Sequence, residues 1–286
     1  MANSISYVGG VRIADIKTIS EIEYTGWEEV YSIDFSEADN SGDLATAATA
    51  IVDGVTWTAN KQNGTVEIVN GKGLVITPAV SSDLYGTSTA CPFLSASVLD
   101  MVSDLGQTDV LCMQWVIDYS ASSGAQYPVN SYEAAGAHFW NGVHGTNQRF
   151  VGGDNIGIGG SQNNWRSHLG TSTQSYASSS VRYAWETVLY ISGQAAIVSS
   201  GPEGSTTLDP PLVMSGTYSN GNRQRAYIYG PNQYASAASW RTTESDISTG
   251  LTTSSLGVML YGMEVHHNRT FEGIFTKFRL FRSRKP

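Results

Sequence analysis

The chain has 286 residues, of which 41% are hydrophobic and 14% charged, and its formal net charge is −9. The length accommodates one large β domain with a small appendage, and an acidic chain without a basic patch predicts that nucleic acid is not a partner. No stretch reaches the roughly 18 apolar residues of a membrane span and the N-terminus lacks a signal-peptide pattern, so we expect neither membrane insertion nor general secretion.

Residues 1–27 differ from the rest of the chain. Within the segment VGGVRIADIKTISEI the apolar residues recur every third position from Ile13 onward. This spacing fits neither an amphipathic helix nor a strand, and it predicts an extended arm that packs on another surface. Two interpretations stay open, an attachment or oligomerisation arm or an arm that covers its own domain. In the first, the partner-binding residues are Val11, Ile13, Ile16, Ile19 and Ile22.

Residues 28–286 predict an all-β domain. Strands are expected where apolar and polar residues alternate, or where an apolar run lies between turn signals. The predicted strands are 31–35, 55–59, 65–69, 74–77, 109–118, 137–140, 149–151, 181–191, 195–199, 225–229, 256–265 and 271–282. Short helices are expected at 44–51 and 98–105, and the polar stretches 120–180 and 200–250 are expected to be mainly loops. Strands without helical crossovers predict an antiparallel, two-sheet jelly-roll sandwich.

Two short motifs carry a resemblance to a known fold family. The strand candidate LGVML at 256–260 is followed by FEGIFTKFRLF at 271–281, which resembles the closing strands of concanavalin A-like and laminin-G-like domains. Ile33-Asp34-Phe35 and Gly54-Val55-Thr56-Trp57 are similar to the opening strands of the same superfamily. The resemblance implies a jelly-roll sandwich over roughly residues 28–286, and it identifies no ligand.

The N-terminal segment carries a second resemblance. Ile13, Ile16, Lys17 and Ile19 are similar to the short leader segments of tailed-phage virion proteins, although Ser20-Glu21 stands where Asn-Gly or Ser-Gly is common. This resemblance implies a structural protein of the virion surface, as a capsid decoration, head fibre or tail fibre. Its partners would be other capsid or tail proteins, and a homo-oligomer is expected because symmetric assemblies multiply weak contacts.

The patterns of common hydrolases and metal sites are missing from the sequence. A glycoside hydrolase of this fold needs two carboxylates on one face of a strand, and no Glu-x-Asp-x-Glu or Glu-x-Asp-x-x-Glu pattern occurs. There is no Gly-x-Ser-x-Gly turn, the histidines offer no zinc set, and Asp39, Ser41 and Asp43 fail as a calcium loop. We therefore expect no enzyme activity and no cofactor, and we predict no metal ligands, although a lectin-type calcium site with ligands from separate loops stays open.

The segment 138–168 is the candidate glycan-binding region, interpreted as a loop. Sugars bind an aromatic face surrounded by amide and carboxylate groups. The residues of these types are Trp140, Asn141, His144, Asp154, Asn163 and Trp165. The structural alternative is that the tryptophans pin long loops to the sandwich. The predicted function is a non-enzymatic virion surface protein with host glycan binding as an added hypothesis, and the alternative is a stand-alone carbohydrate-binding module or adhesin.

Two smaller groups of residues complete the sequence predictions. Cys112 lies in an apolar run and is expected to be a buried thiol, with a Cys91–Cys112 bridge as the alternative. The cationic residues near the C-terminus are expected on a solvated strand face and tail. They are Lys277, Arg279, Arg282, Arg284 and Lys285.

Overall fold

The computed structural model describes much of the chain from Tyr7 to Ser283. The described residues are 7–8, 11–12, 27–38, 44, 48–61, 63–79, 89–107, 109–121, 134–142, 150–156, 164–170, 172–177, 183–191, 195–200, 206–208, 214–215, 227–228, 251–265 and 271–283. None of the helices in this part is both long enough and apolar enough to cross a membrane.

The described chain consists almost entirely of strands, with one helical turn, α1, at Val98–Met101. The strands are β1 (Tyr7–Val8), β2 (Val11–Arg12), β3 (Glu28–Asp34), β4 (Thr49–Val52), β5 (Val55–Asn60), β6 (Gly64–Val69), β7 (Gly73–Pro78), β8 (Thr89–Ala90), β9 (Phe93–Ser97), β10 (Val110–Ala121), β11 (Ala134–Trp140), β12 (Phe150–Ile156), β13 (Asn164–Gly170), β14 (Ser172–Ala177), β15 (Ala184–Tyr190), β16 (Ala195–Ser200), β17 (Met214–Ser215), β18 (Tyr227–Ile228), β19 (Gly257–Val265) and β20 (Phe271–Ser283).

Two large antiparallel sheets form the domain. The first sheet has the strand order β16-β15-β10-β20-β7-β6, and β3 also pairs with β20. The second sheet has the order β14-β13-β12-β11-β19-β9-β5-β4, and β8 also pairs with β19. The fold class expected from the sequence, an all-β antiparallel jelly-roll sandwich of two sheets, is confirmed.

Strand β20 organises the first sheet. One of its edges pairs with β10 from Phe271 to Ser283. The other edge pairs first with β7, through Gly273 to Phe275, and then with β3, through Lys277 to Arg282. The strand that opens the sandwich therefore lies directly beside the strand that closes it.

The core lies between the two sheets and is rich in aromatic side chains. Trp57 from the second sheet packs edge-on against Phe278 of the first, with ring centroids 5.7 Å apart. Tyr31 joins them, because its hydroxyl donates to the Val52 carbonyl at 3.1 Å and accepts from Trp57 Nε1 at 3.1 Å. Burial of each such large side chain stabilises the fold by about 1.5–3 kcal/mol.

The alternation predicted for β20 is confirmed. Phe278 and Leu280 are fully buried in the core, whereas Lys277 is exposed and Arg279 half-buried on the opposite side. Arg282 departs from the expectation of a solvated face, since it is only 6% exposed. Its guanidinium donates to Glu28 at 2.7 Å and to Asp104 at 2.5 Å, and these two carboxylates satisfy the buried charge.

The helix predicted at 44–51 is wrong where the structure describes that stretch. Residues Thr49–Val52 form β4, which pairs with β5 so that Val52 lies opposite Val55. Asp53 and Gly54 turn the chain between them with φ of +47° and +78°. Two successive residues with positive φ suit the tight turn of a two-residue β-hairpin, and this turn commits the segment to strands.

The loop interpretation of residues 120–180 is also wrong in part. Strands β11, β12, β13 and β14 lie within it, and they pair in sequence as an antiparallel meander. The segment 138–168, expected to be a binding loop, therefore contains strand residues of the second sheet. Glycine, asparagine and serine are frequent in these strands, so apolar and polar residues do not alternate clearly there. The backbone hydrogen bonds of an antiparallel pair do not require such an alternation.

The predicted arm lies largely outside the described residues. Its described parts, β1 and β2, pair with each other, Tyr7 opposite Arg12 and Val8 opposite Val11, in a two-stranded sheet of their own. Ile13, Ile16, Ile19 and Ile22 are not among the described residues. The boundary at residue 27 and the binding role of the arm therefore stay predictions.

The turn before β7 gives a stability test. Gly73 has a φ of +126°, and a Cβ there would lie 2.5 Å from the Phe275 carbonyl oxygen. Gly71 has a φ of +76°, but a Cβ there would meet nothing within 4 Å. We expect Gly71→Ala to cost about 1–2 kcal/mol of unfolding free energy through backbone strain alone. Gly73→Ala should cost about 1–3 kcal/mol more through the added clash, measured by urea denaturation; equal losses would contradict this contact.

The two cysteines give a second test, because both are free thiols and the bridge alternative is therefore wrong. Burial raises the pKa of Cys91 to about 11, and burial with the Glu186 charge raises the pKa of the fully buried Cys112 well above its usual value. We expect slow reaction with Ellman's reagent at about pH 8 in the folded protein, and two thiols in guanidinium without reductant.

The same shifts predict a pH dependence of stability. As the pH rises, the Cys91 thiol loses its proton in the unfolded chain at about pH 9 and in the folded protein only at about pH 11. The contribution of Cys91 to the free energy of unfolding should therefore be constant below about pH 9 and decline between about pH 9 and pH 11. In the thiol count with Ellman's reagent, fewer than two thiols in the denatured, unreduced protein would show that Cys91 and Cys112 form a disulfide.

Candidate functional site

The outer face of the second sheet carries a buried aromatic and polar cluster, which we call the outer cluster. It consists of Phe93, Ala134, His138, Trp140, Asp154, Met259 and Tyr261, each less than a tenth exposed. Trp140 packs edge-on against Phe93, with ring centroids 5.5 Å apart. This face is therefore a second region of packed side chains in addition to the core between the sheets.

A glycine allows the central polar contact of the outer cluster. Gly136 in β11 lies opposite Tyr261 on one side and opposite Asp154 on the other. A Cβ at position 136 would lie 2.6 Å from the Asp154 Cβ, so a larger residue there would crowd this aspartate. The Tyr261 hydroxyl reaches across the glycine and donates to Asp154 Oδ2. The contact gives a fully buried carboxylate one of the donors that it needs.

His138 occupies the neighbouring position of the same face. Its ring centroid lies 4.9 Å from that of Tyr261 and 5.1 Å from that of Phe150. Gly152 lies opposite His138 on β12, and a Cβ there would come within 2.5 Å of His138 Cδ2. His138 is 2% exposed, and it packs as an aromatic side chain within the sheet face.

The residues predicted to bind a glycan are only partly brought together. Trp140 and Asp154 belong to the outer cluster, and Asn141 follows β11, with exposed fractions of 7%, 0% and 8%. Trp165 lies in β13, paired with Asn155 and Tyr176, and His144 and Asn163 fall outside the described residues. A sugar stacks on an exposed aromatic face, which Trp140 does not offer in this arrangement. The glycan-binding role of these six residues stays a prediction.

An accessible groove lies on the outer face of the first sheet. Its volume is about 530 Å³, within the size range of small-molecule binding sites. It is lined by β3, by β20 and by the segment 206–208, through Glu29, Ser32, Ile33, Asp34, Thr206, Thr207, Leu208, Lys277 and Arg279. The lining consists mainly of hydroxyl, carboxylate and cationic groups, and we call it the β3–β20 groove.

Arg279 fixes one end of this groove. Its guanidinium donates through Nε to Glu29 at 2.7 Å, and Nη2 donates to the same carboxylate. Nη1 donates to the Leu208 carbonyl at 3.3 Å, which holds segment 206–208 over the sheet. The guanidinium also lies 4.7 Å from the ring centroid of Phe281. These contacts use all three guanidinium nitrogens to build the wall of the groove.

Lys277 and Asp34 form a looser pair at the other end. Lys277 Nζ lies 3.9 Å from Asp34 Oδ2, beyond hydrogen-bonding distance. Asp34 Oδ1 is already used, because it accepts from Ser36 N at 3.0 Å and from Ser36 Oγ at 2.5 Å. The Lys277 side chain is 52% exposed and the Asp34 side chain 30%, so solvent reaches both charges.

A polar row extends from the groove across the first sheet. Ser32, Arg279, Gln114, Glu186 and Ser199 lie opposite one another in successive strands. In the middle of the row Gln114 Nε2 donates to Glu186 Oε2 at 2.6 Å, and both residues are buried. The row therefore changes from accessible groups beside the groove to a hydrogen-bonded pair inside the protein.

The part of the chain that the structure describes brings no three His, Cys, Asp or Glu side chains together as metal ligands. The lining of the groove offers donors and acceptors for hydrogen bonds, and its chemistry suits the recognition of a polar molecule.

Sequence reasoning missed the β3–β20 groove. Its lining comes from three segments, and the paired Glu29 and Arg279 are 250 positions apart. The usable signal was the outward position of Lys277 and Arg279 in β20, which the alternation predicts. The sequence does not predict the strand register that places β3 beside Lys277 and Arg279.

No family model and no curated protein matches the sequence. Among solved structures, a glycosyl hydrolase family protein from Mycobacterium fortuitum is 13% identical over 88% of this chain and 99% of that chain, with a TM-score of 0.40. Lectin II from Ulex europaeus is 8% identical over 90% and 100%, with a TM-score of 0.39. A lichenase from a mouse hindgut metagenome is 9% identical over 87% and 97%, with a TM-score of 0.37. TM-scores this low assign neither a family nor an activity.

The outer cluster gives a third prediction. Tyr261→Phe should lower the free energy of unfolding by about 1–3 kcal/mol, because a fully buried carboxylate loses a donor. Tyr119→Phe is the matched control, since the Tyr119 hydroxyl donates to a backbone carbonyl, that of Ala135 at 3.4 Å, and not to a buried carboxylate. Urea denaturation of both variants measures the difference, and equal stabilities would show that Asp154 does not depend on Tyr261.

Proposed function

We propose that the protein is a non-enzymatic structural protein of a virion surface, attached through its N-terminal arm, with the sandwich exposed and able to bind host glycans. The observation that carries the non-enzymatic part is the use of the described acidic side chains. Five of those in the sheets serve structural contacts: Glu28 with Arg282, Glu29 with Arg279, Asp154 with Tyr261, Glu186 with Gln114, and Glu272 with Lys72.

Hydrolysis of a glycosidic bond requires two carboxylates that face the substrate from one site. No described strand carries two carboxylates at i and i+2 or at i and i+4, which would place them on one face. The buried acids Asp154 and Glu186 lie on different sheets and have exposed fractions of 0% and 2%. This arrangement favours recognition over hydrolysis.

Attachment through the arm rests on its sequence pattern. The isoleucines of residues 13–22 recur every third position and would present one apolar stripe to a neighbouring surface. The described hairpin of β1 and β2 belongs to neither large sheet, which suits a segment with its own partner. The similarity of Ile13, Ile16, Lys17 and Ile19 to phage leader segments supports the virion as that partner.

A stand-alone carbohydrate-binding module or adhesin is the second candidate. The β3–β20 groove favours it, because a polar, accessible groove serves recognition whether or not the protein belongs to a particle. The two candidates share glycan binding and differ in particle attachment, so one experiment separates them.

Deletion of residues 1–26 tests the attachment. The truncated protein should fold as the full chain does, by circular dichroism and thermal unfolding, yet fail to co-sediment with particles that incorporate the full-length protein. Full-length protein in which Ile16 and Ile19 are both replaced by Ser should lose incorporation in the same way, since the apolar stripe supplies the contact.

A full-length variant with Ile51→Ser is the matched control, because Ile51 is an exposed isoleucine of the sandwich, 68% exposed. Incorporation of the truncated protein would contradict the arm. Failure of the full-length protein to co-sediment would leave the stand-alone module. Release of reducing sugar from bound oligosaccharides would contradict the non-enzymatic assignment.

A further inference from the structure

We propose that the β3–β20 groove is the glycan site and that it takes a neutral, hydroxylated saccharide bridged between Lys277 and Asp34. This inference rests on the proposed glycan binding and adds the site and the ligand class to it. It replaces the outer cluster as the place of contact, because the described candidates there are less than a tenth exposed.

The distance between the two charges supports a bridging hydroxyl. Lys277 Nζ and Asp34 Oδ2 are 3.9 Å apart. A hydroxyl oxygen at hydrogen-bonding distance from both would accept from the ammonium and donate to the carboxylate, at bond lengths of about 2.7–2.9 Å. A sugar hydroxyl has this combination of one donor and an acceptor, and bonds to charged groups are stronger than bonds between neutral groups.

The groups around this pair can receive the next hydroxyls of a sugar ring. Ser32 and Thr206 are exposed residues of the lining, and among the described residues their hydroxyls make no hydrogen bond. Lys277 likewise makes no hydrogen bond with any described residue, and only the 3.9 Å contact involves its ammonium. The groove thus presents donors and acceptors that protein groups do not consume.

Charge selects a neutral ligand. The lining contains two carboxylates, Glu29 and Asp34, and two cations, Lys277 and Arg279, so its formal charge is balanced. Arg279 is already occupied by Glu29 and by the Leu208 carbonyl, which leaves one cation for a ligand. The net charge of −9 on the whole chain repels polyanionic saccharides. Recognition through hydrogen bonds alone suits a chain of uncharged sugars.

Isothermal titration calorimetry with the full-length protein tests the site. The probes are hexasaccharides of glucose, mannose and galactose, with a galacturonic acid hexasaccharide as the anionic comparison. At least one neutral probe should bind with an affinity that is unchanged between about 0.05 and about 0.5 M salt. Lys277→Met and Asp34→Asn should each weaken that binding about 10-fold or more, because each removes a bond to a charged group.

Lys72→Met is the matched control. Lys72 Nζ forms an exposed ion pair at 2.7 Å with Glu272, which lies in β20 as Lys277 does. Neither Lys72 nor Glu272 lines the groove. The substitution should leave saccharide binding unchanged, and thermal unfolding should show all three variants folded.

The outcomes separate the site from the function. If a neutral probe binds and Lys277→Met and Asp34→Asn bind it as well as the wild type, the groove is not the site, while glycan binding stands. Binding of the galacturonic acid probe alone would overturn the neutral ligand class. If no probe binds the wild-type protein, the glycan binding in the proposed function is contradicted.

Discussion

The pairing of β20 with β10, β7 and β3 is the constraint on which the structure depends. Because successive residues of a strand face opposite sides, β20 serves two purposes at once. Phe275, Phe278 and Leu280 enter the core. Lys277 and Arg279 point away from it and line the β3–β20 groove. A shift of the register by one residue would exchange these two sets, so the packing of the core also fixes the chemistry of the groove.

The sequence predicts those elements in which burial requires a clear run or alternation of apolar residues. Strand β10 shows an apolar run and β20 an alternation, and both are strands where the sequence predicts them. The meander of β12 to β14 is defined by backbone pairing, which residue type does not reveal. The sequence predicts a helix where the structure has β4, because four residues are too few to distinguish a period of two from one of 3.6.

The candidate site is even harder than the fold to predict from local sequence patterns. Residue types alone indicated Trp140 and Asp154, since both are typical of sugar sites, but those types also build buried clusters when a neighbouring glycine makes room. The β3–β20 groove depends on the juxtaposition of Ser32 with Arg279 and of Asp34 with Lys277. Such pairs follow from strand register across most of the chain, and no local pattern encodes them.

The position of β20 also has a consequence for biosynthesis. Glu28 meets Arg282 across 254 residues of sequence, so β3 has no neighbour on this edge until ribosomes have made nearly all of the intervening chain. At 5–20 residues per second this interval is about 13–50 s, during which β3 lacks the strand that pairs with it. Until β20 is made, this edge of β3 therefore presents unpaired backbone groups to which another chain could bind.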